Sequence, residues 1–410
     1  METHWQCLRD LEPDSAHAKI ISEVISSANF SFLAREGARI RSSTLGEGKS
    51  GVTCNIDSER FRFGSNNVVF RMSFSDSVEW VARVRLSETS GDEETVAEME
   101  SEIATIFVLQ KGTTIRVPTV YAYNLDPGNQ FGYRYMLMEA LPGRHMSSGL
   151  ARSVPPEHHA KIANQLADYY FELSKIRFDK IGKLSFKRGK GDEVSLVPFY
   201  MSEDQKRIEP LATSLEYFYL HRRIQNQAIA SLQPHDKDWR TARWVLNQAL
   251  SEIVIGNAIY GPFPIGNLDL HYENILVDDA YNITGFVDWT SAQTVPWELF
   301  FASPEFITFP ALSKERNQPI LDFRSKVSEG LEARSGCCGW LPCNLSQLIG
   351  SRKTEIAYRC TYTYPRRALW DAQLVSRLLF RPGVSWEYVK YISRTNADEE
   401  EDCNSNGIGS

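Results

Sequence analysis

Apolar and polar residues alternate through the early part of the chain, a pattern typical of half-buried strands. The alternation runs through residues 61–74 and resumes through residues 79–86, and Asp76 and Ser77 between them favour a turn. These two segments therefore predict an antiparallel hairpin, and we expect the sheet to begin at Phe61.

A helix and two more strands are predicted to follow the hairpin. Residues 94–110 carry apolar side chains at helical spacing, and Gly112 favours the end of a helix. Residues 117–123 and 133–138 are two further strand candidates. The apolar positions of the helix are Val96, Met99, Ile103, Ile106 and Leu109. The predicted order is strand, strand, helix, strand, strand.

Helical spacing dominates the rest of the chain. Pro155 and Pro156 favour the start of a helix, and helical patterns return at residues 211–232, at residues 239–255 and after Ile356. One apolar stripe consists of Ile162, Leu166, Tyr169, Leu173 and Ile176. A β-rich first part followed by a mainly helical second part predicts the α+β class.

These patterns divide the chain into four segments. Residues 1–60 form a helical N-terminal extension whose role the sequence does not reveal, and residues 61–143 form the β-rich part. Residues 144–395 form the helical part, in which the basic segment 183–190 predicts a solvated loop or insertion rather than a binding patch. Residues 396–410 contain a run of five acidic residues and predict a disordered tail.

The composition excludes several classes of protein. With 42% hydrophobic and 24% charged residues, the chain is neither disordered nor fibrous in character. Its 45 basic and 52 acidic residues give a net charge of −7, so we expect no nucleic acid as partner and no attraction to anionic membranes. No run approaches 18 consecutive apolar residues, which argues against a membrane span.

The seven cysteines indicate a reducing compartment, because their odd number and irregular spacing argue against a disulfide framework. The opening residues lack the basic segment and apolar run of a secretory signal, so we expect a cytoplasmic protein. Cys337, Cys338 and Cys343 lack a CxxC pair and a nearby histidine. Loop and core thiols are therefore favoured over a zinc site.

The segment 261–289 carries the densest set of chemistry-bearing residues. Within it, two apolar runs are separated by five turn-rich residues, a spacer of hairpin length. If the hairpin forms, its open end brings Asn274 beside Asp288, and Asp269 lies five residues before Asn274. Three oxygen-bearing side chains would then converge at one end of a small hairpin.

Such a convergence suits phosphoryl transfer. A hard divalent cation takes a carboxylate and an amide oxygen together with phosphate oxygens, while a separate carboxylate accepts the proton of the attacking hydroxyl. Asp288 and Asn274 suit the metal and Asp269 suits the base. The alternative is that Asp269 and Asn274 are ordinary turn residues and Asp288 only ends a strand.

At these residues the chain resembles the aminoglycoside phosphotransferase and choline kinase-like family. The resemblance rests on Asp269-Leu-His271-Tyr-Glu-Asn274 followed by Gly285-Phe-Val-Asp288-Trp, and a VPWELF stretch at residues 295–300 is similar to that of the fungal members. It extends from about Phe61 to the last helices. The pattern is fairly specific in this order and spacing.

The resemblance implies a two-lobed, protein kinase-like fold with ATP between the lobes, residues 61–143 binding the nucleotide and residues 144–395 holding the acceptor. It also implies that Asp269 is the catalytic base and that Asn274 and Asp288 bind Mg²⁺. His271 is then a residue that shapes the loop, or alternatively a second general base.

The first part should then supply a phosphate cradle. Gly64, Ser65, Asn66 and Asn67 lie between two predicted strands, where glycine permits close approach and the polar residues offer donors to phosphate oxygens. The alternative is an ordinary hairpin turn. By the same resemblance the backbone of Glu139 and Ala140 would hold the adenine edge.

Kinase-like folds pair a strand lysine with a helix glutamate, and this chain has no lysine in the matching strand. Arg83 follows Val81 and Ala82 as the lysine does in the family pattern, so we favour it over Arg85, which shares its face. Glu102 is its expected partner, with Glu98 as reserve. Either glutamate could instead be a solvated surface charge.

A second departure is Asn267, where the family usually has a histidine that orients the loop. Asparagine can also donate and accept hydrogen bonds, so we expect altered rather than abolished geometry. We find neither a D-F-G at Asp288 nor a later A-P-E, which argues against a protein kinase. An acceptor amine would meet carboxylates such as Glu203, Asp204 or Glu216, and nothing selects among them.

The sequence therefore predicts an ATP-dependent, Mg²⁺-requiring phosphotransferase that acts on a hydroxyl of a small molecule. An amino alcohol, an amino sugar or a secondary-metabolite intermediate would serve as acceptor. Because Arg83 and Asn267 depart from the family pattern, the alternative is a catalytically impaired nucleotide-binding protein. The sequence identifies neither the acceptor nor an oligomeric state.

Overall fold

The first part of the chain contains a five-stranded sheet and the second part is mainly helical in the computed structural model, so the predicted α+β class is confirmed. The structure describes residues 5–45, 51–86, 92–201, 206–308, 313–335, 343–361, 365–380 and 383–394. The predicted disordered tail, Glu203 and Asp204 lie outside the described residues. Among the helices that the structure describes, none is both long enough and apolar enough to cross a membrane.

Helices and strands follow one another in mixed order along the chain. Those before residue 146 are α1 (Ala16–Ser27), α2 (Phe30–Thr44), β1 (Cys54–Phe63), β2 (Asn67–Phe74), β3 (Glu79–Arg85), α3 (Asp92–Gly112), β4 (Val120–Asn124), β5 (Tyr135–Glu139) and β6 (Arg144–His145). Later ones are α4 (Leu150–Ser153), α5 (Pro156–Lys175), β7 (Arg177–Phe178), β8 (Lys183–Phe186), β9 (Val194–Val197), β10 (Phe199–Met201), β11 (Lys206–Ile208), α6 (Ser214–Leu232), α7 (Lys237–Gln248), α8 (Leu250–Ile253), β12 (Phe263–Asn267), β13 (Ile275–Val277), β14 (Ile283–Phe286), β15 (Ala292–Thr294), α9 (Lys314–Ser335), α10 (Leu345–Leu348), α11 (Arg352–Thr361) and α12 (Ala368–Leu379).

The first sheet is antiparallel and has the strand order β1-β2-β3-β5-β4. One strand more than predicted precedes α3, because a turn divides the predicted strand at residues 61–74 into the end of β1 and β2. Strand β1 also begins at Cys54 and therefore crosses the predicted boundary at residue 60. Its first half is polar, lies at the sheet edge and contains an irregularity in register between Ile56 and Phe61. An edge strand of this kind lacks the apolar alternation that identifies a half-buried strand.

The N-terminal helices α1 and α2 cover one face of this sheet. Ile21, Val24 and Leu33 join the same buried cluster as the sheet residues Phe70 and Trp80. The segment predicted as an extension therefore contributes part of the hydrophobic core. Its role could not be read from residues 1–60 because their partners lie elsewhere in the chain.

The glycine in the middle of α2 is explained by this packing. Gly37 is buried, and a Cβ added to it would lie 2.5 Å from Cε of Met72 on β2. A larger residue would force the Met72 side chain to move. The absence of a side chain thus lets α2 approach the sheet closely.

Strand alternation decides which β3 side chains face the helices α1 and α2. Trp80, Ala82 and Val84 belong to the buried cluster with those helices, so the intervening Arg83 and Arg85 point to the opposite face. The central position of β3, between β2 and β5, buries both arginines. Two buried cations therefore require acidic partners on that face.

By its contacts the chain forms two compact units with bounds that differ from the predicted segments. The first contains Met1–His145 and Asn274–Thr290, and the second contains Met146–Glu273 and Ser291–Ser410. The hairpin β13-β14 belongs to the first unit because β13 also pairs with the short strand β6. A two-residue strand such as β6 leaves no pattern in the sequence.

The second unit contains the predicted amphipathic helix as α5. Its predicted apolar positions at 162, 166, 169 and 173 are buried. The basic segment 183–190, expected to be a loop or insertion, begins instead with β8, which forms a hairpin with β9. Three strands in the order β15-β12-β7 make a small sheet in the same unit.

The turn Trp297–Leu299 is hydrogen-bonded to the start of strand β12 within the second unit. The indole Nε1 of Trp297 donates to the carbonyl of Pro262 at 2.9 Å, immediately before the strand. Beside it the buried carboxylate of Glu298 accepts the backbone N–H of Ile255 at 2.6 Å. Burial raises the pKa of Glu298 to about 7, partly offset by hydrogen bonds from backbone N–H groups and by the charge of Lys353.

This buried carboxyl predicts a pH dependence of stability. Its pKa is higher in the folded than in the unfolded protein, so the folded state is favoured below pH 4.5 and loses stability as the pH rises to about 7. We expect Glu298→Gln to reduce this loss by about 3 kcal/mol. Urea unfolding of both proteins at pH 5 and pH 8 measures it, and equal losses in wild type and variant would contradict the expectation.

Candidate active site

The two buried arginines of β3 each find a glutamate on α3. Arg83 forms an ion pair with Glu102, and Arg85 pairs with Glu98 at 2.7 Å. The glutamates are four residues apart on one helix face, and the arginines are two apart on one strand face. The expected partner and the reserve partner are thus both engaged, each with a different arginine.

A second nitrogen of the Arg83 guanidinium contacts the segment that follows β14. Its Nη2 lies 3.2 Å from Oδ1 of Asp288 and 3.1 Å from Oγ1 of Thr290. With the amide of Asn67 turned so that its oxygen faces the guanidinium, that oxygen lies 2.9 Å from the same nitrogen and shares its two N–H donors with Asp288 and Thr290. The pKa of Arg83 is raised, although burial acts to lower it, because Glu102 and Asp288 stabilise its charge.

The backbone of Asp288 adopts an unusual conformation. Its φ of 57° lies in the left-handed region, which Asp and Asn tolerate better than other residues with a side chain. Oδ1 accepts hydrogen bonds from the hydroxyl of Thr290 at 2.7 Å and from its N–H at 3.3 Å. Burial would raise the pKa of Asp288, but the charge of Arg83 and the hydrogen bonds from Thr290 outweigh it and lower the pKa.

The hairpin brings Asn274 and Asp288 to its open end, as the spacing predicts. Ile275 pairs with Phe286, and the backbone carbonyl of Asn274 accepts the N–H of Val287 at 3.0 Å. The Asn274 side chain is buried. The hairpin loop is closed at the other end by Asp278, whose carboxylate accepts the N–H of Asn282 at 2.7 Å.

Close packing explains why a glycine stands at position 285, in the stretch that leads to Asp288. A Cβ on Gly285 would overlap Cδ1 of Leu141 and would lie 3.3 Å from the carbonyl of Arg116. Leu141 follows directly on the predicted adenine linker. Glycine at this position therefore lets the chain after the linker pack directly against β14.

This donor set fits a magnesium ion. Magnesium is usually held by one or two carboxylate or amide oxygens together with phosphate oxygens and water. Asp288 offers a carboxylate whose side chain is 42% exposed, and Asn274 offers an amide oxygen. In the part of the chain that the structure describes, no group of three or more His, Cys, Asp and Glu forms a self-sufficient metal site.

The predicted phosphate cradle is a tight turn between β1 and β2. The N–H of Gly64 donates to the carbonyl of Asn67 at 2.9 Å, and the carbonyl of Asn66 accepts the N–H of Leu86 at 2.9 Å. A Cβ on Gly64 would meet nothing within 4 Å. Packing therefore does not require glycine here, and the phosphate role of Gly64, Ser65, Asn66 and Asn67 stays a prediction.

The predicted adenine linker uses its amide groups within the protein. The N–H of Glu139 donates to the carbonyl of Thr119 at 2.8 Å, and that of Ala140 donates to the carbonyl of Glu79 at 3.3 Å. The carboxylate of Glu139 accepts hydrogen bonds from Arg116 at 3.1 Å and from the N–H of Thr119 at 3.2 Å. A contact of these two residues with adenine through their N–H groups would require these bonds to change.

The loop after β12 carries Asp269 in the second unit. Its carboxylate is exposed, and the N–H of Asp269 donates to Oδ1 of Asn267 at 3.0 Å. His271 accepts the N–H of Glu273 on Nδ1 at 3.3 Å, which leaves the proton of a neutral ring on Nε2. That Nε2 lies 3.8 Å from Oδ2 of Asp269. Asn267 thus orients the loop through its acceptor oxygen.

Two residues that sequence reasoning missed anchor this loop. The buried carboxylate of Glu305 accepts the N–H of Tyr272 at 3.0 Å and that of Leu150 at 2.6 Å. Ser303 donates its hydroxyl to the carbonyl of Leu270 at 2.7 Å. Neither residue belongs to a motif, since a side chain that serves backbone groups leaves no spacing to detect.

The structure therefore brings Asn67, Arg83, Glu102 and Asp288 together in the first unit, with Thr290 as an unpredicted member. Asp269 belongs to the second unit. Of the cysteine cluster, Cys337 and Cys338 lie outside the described residues. Cys343 is partly buried, and burial raises the pKa of its thiol to about 12.

The buried ion pair predicts a strong stability effect. Arg83→Met leaves the Glu102 carboxylate buried without its cation, and we expect a loss of about 3–5 kcal/mol in the free energy of unfolding. Arg83→Met combined with Glu102→Gln should recover part of that loss, because the buried side chain at position 102 is then uncharged and needs no cation. Urea unfolding of wild type, both single variants and the double variant tests this, and strictly additive losses would contradict it.

The chain has relatives among curated mitochondrial proteins. It is 24% identical over 205 residues to Altered inheritance of mitochondria protein 9 of Meyerozyma guilliermondii, covering 49% of this chain and 33% of that protein. The protein of the same name from Candida tropicalis is 26% identical over 129 residues, covering 30% of this chain and 20% of that protein. The matched part thus spans a third or less of these relatives.

The predicted cytoplasmic location is wrong by this comparison, since both relatives are named as mitochondrial proteins. The prediction rested on the cysteine pattern and on the lack of a secretory signal. Unpaired thiols do not distinguish one reducing compartment from another.

Solved structures and a family model complete the comparison. An aminoglycoside 2′-phosphotransferase-IIIa mutant in complex with GDP is 14% identical with a TM-score of 0.45, covering 92% of this chain and 100% of that one. An ethanolamine kinase of Plasmodium vivax is 12% identical with a TM-score of 0.45, covering 95% of each chain. The model of the phosphotransferase enzyme family matches residues 58–297, more than half of the chain, and the chain belongs to this family.

Proposed function

We propose that this chain is an ATP-dependent phosphotransferase that moves the γ-phosphoryl group to a hydroxyl of a small molecule. The observation that carries the proposal is the cluster of Arg83, Glu102 and Asp288, joined to Asn274 by the hairpin. A buried, doubly paired guanidinium beside a half-exposed carboxylate suits the binding of a phosphate and a cation. Family membership supports the reaction class.

In this proposal Asp288 and Asn274 would hold Mg²⁺, and the ion would supply positive charge to offset that of the phosphate oxygens. Arg83 contributes a further positive charge toward the phosphates, and Glu102 holds it in place. Gly64, Ser65, Asn66 and Asn67 lie beside the phosphates.

Asp269 is the proposed catalytic base. Its carboxylate accepts the proton of the acceptor hydroxyl as the hydroxyl oxygen bonds to the γ-phosphorus and the bond from that phosphorus to the bridging oxygen breaks, releasing ADP. Its exposed carboxylate and the hydrogen bond from its N–H to Asn267 support this role. His271 then shapes the loop.

Family membership suggests several classes of acceptor and does not select one of them. Amino alcohols, amino sugars and secondary-metabolite intermediates are the candidates, with ATP as donor. Because the matched part spans a third or less of the curated relatives, their full activities add nothing specific to this proposal.

A nucleotide-binding protein without turnover is the second candidate function. The observation that favours it is the contact of Arg83 with Oδ1 of Asp288, because it places the guanidinium against the carboxylate that would hold the cation. Asn267 in place of the usual histidine adds to it. Both candidates require Mg²⁺-dependent nucleotide binding.

Asp288→Asn tests the metal assignment without disturbing the backbone, because asparagine also tolerates the left-handed conformation. We expect at least a tenfold weaker binding of ATP in the presence of Mg²⁺, measured by titration calorimetry, since a charged ligand is lost. Asp279→Asn, an exposed carboxylate in the same hairpin, is the matched control and should bind as wild type does. Unchanged binding by Asp288→Asn would refute the assignment.

Asp269→Asn separates the two candidate functions. A kinase should lose about 10²- to 10⁴-fold in kcat, because the base can no longer accept the proton, while its affinity for Mg-ATP stays within twofold. Transfer of labelled γ-phosphate to a panel of amino alcohols and amino sugars measures it. If wild type and Asp269→Asn form product at the same rate, the assignment of Asp269 as base is refuted. If wild type binds Mg-ATP but forms no product with any member of the panel, the second function is favoured.

A further inference from the structure

Thr290 lies at the centre of the arginine and carboxylate cluster of the first unit. Its Oγ1 is 2.7 Å from Oδ1 of Asp288, 3.1 Å from Oε2 of Glu102 and 3.1 Å from Nη2 of Arg83. One hydroxyl thus contacts both carboxylates and the cation that lies between them. No motif in the sequence singles this residue out.

The hydroxyl has one proton for two acceptors. It accepts a hydrogen bond from the guanidinium of Arg83, and it can donate to only one carboxylate at a time. The shorter distance favours Asp288 in the present arrangement. Rotation about the bond between Cβ and Oγ1 moves the donor toward Glu102 without moving a heavy atom.

The backbone of the same segment is tied to α3. The N–H of Trp289 donates to Oε1 of Glu102 at 3.2 Å, and the N–H of Thr290 donates to Oδ1 of Asp288 at 3.3 Å. Asp288 occupies a left-handed conformation with a φ of 57°, which costs energy unless its surroundings hold it. Thr290 and Glu102 supply those surroundings.

We infer that Thr290 is a positioning residue for Asp288. Its hydroxyl and its N–H hold Oδ1 and so orient the carboxylate before a divalent cation arrives, and the hydroxyl proton could turn to Glu102 if a cation engaged the carboxylate. The inference rests on the proposed function, because it assumes that Asp288 is a metal ligand. Groups that orient a metal ligand commonly alter metal affinity about 10- to 100-fold when they are removed.

Two variants separate the hydroxyl from the shape of the side chain. Thr290→Val removes the hydroxyl and keeps the branched shape, whereas Thr290→Ser keeps the hydroxyl. Mg²⁺ is to be titrated into wild type and into each variant of the 410-residue chain at a fixed concentration of ATP, with nucleotide binding followed by calorimetry. Thr290→Val should need about tenfold more Mg²⁺ for half-maximal binding, and Thr290→Ser should stay within twofold of wild type.

ATP binding measured in EDTA is the control for a general loss of structure, because such a loss would weaken binding even without Mg²⁺. It should be equal in wild type, Thr290→Val and Thr290→Ser, because the effect acts through the metal ligand. The inference is overturned if Thr290→Val needs no more Mg²⁺ than wild type for half-maximal ATP binding. It is also overturned if Thr290→Val and Thr290→Ser both need equally more Mg²⁺ than wild type. Should Thr290→Val fail to fold, Thr290→Ala replaces it with the same expected shift.

The same titration distinguishes this inference from the proposed function. If wild-type protein binds ATP with no dependence on Mg²⁺, the metal assignment of Asp288 fails and the inference fails with it. If wild-type binding depends on Mg²⁺ and Thr290→Val follows the same curve, only the role of Thr290 is refuted.

Discussion

A guanidinium buried in the middle of a sheet is the constraint on which the first unit depends. Arg83 lies on the central strand β3, where an unpaired charge would cost several kcal/mol. Glu102 neutralises it from α3, while Asp288 and Thr290 complete its hydrogen bonds. The position of α3 on the sheet and that of the segment after β14 are therefore fixed by one side chain.

The two faces of the sheet have different roles: one packs in the hydrophobic core and the other holds the buried charges. One face is apolar and is closed by α1 and α2, so the strand can be buried without further polar partners there. The other carries Arg83 and Arg85, each matched by an acidic residue of α3. A strand of seven residues thus serves the core and the candidate site at the same time, which the period of two along a strand permits.

Local patterns predicted what depends on local periodicity. The strand alternation around Arg83, the helical spacing that presents Glu102 and the hairpin that joins Asn274 to Asp288 are all visible in the sequence. Polar edge residues hid the start of β1, and the packing partners of α1 and α2 lie far along the chain. Thr290 was missed because a hydroxyl acquires its role only from three groups that folding brings to it.

The left-handed backbone at Asp288 restricts how this site can change during evolution. Gly, Asn and Asp are the residues that adopt this conformation readily, so few single substitutions here leave the turn intact. A lineage that abandons phosphoryl transfer while keeping its fold is then expected to replace this aspartate with asparagine or glycine. The identity of one residue in related chains would thus separate those that retain the carboxylate chemistry from those that keep only the scaffold.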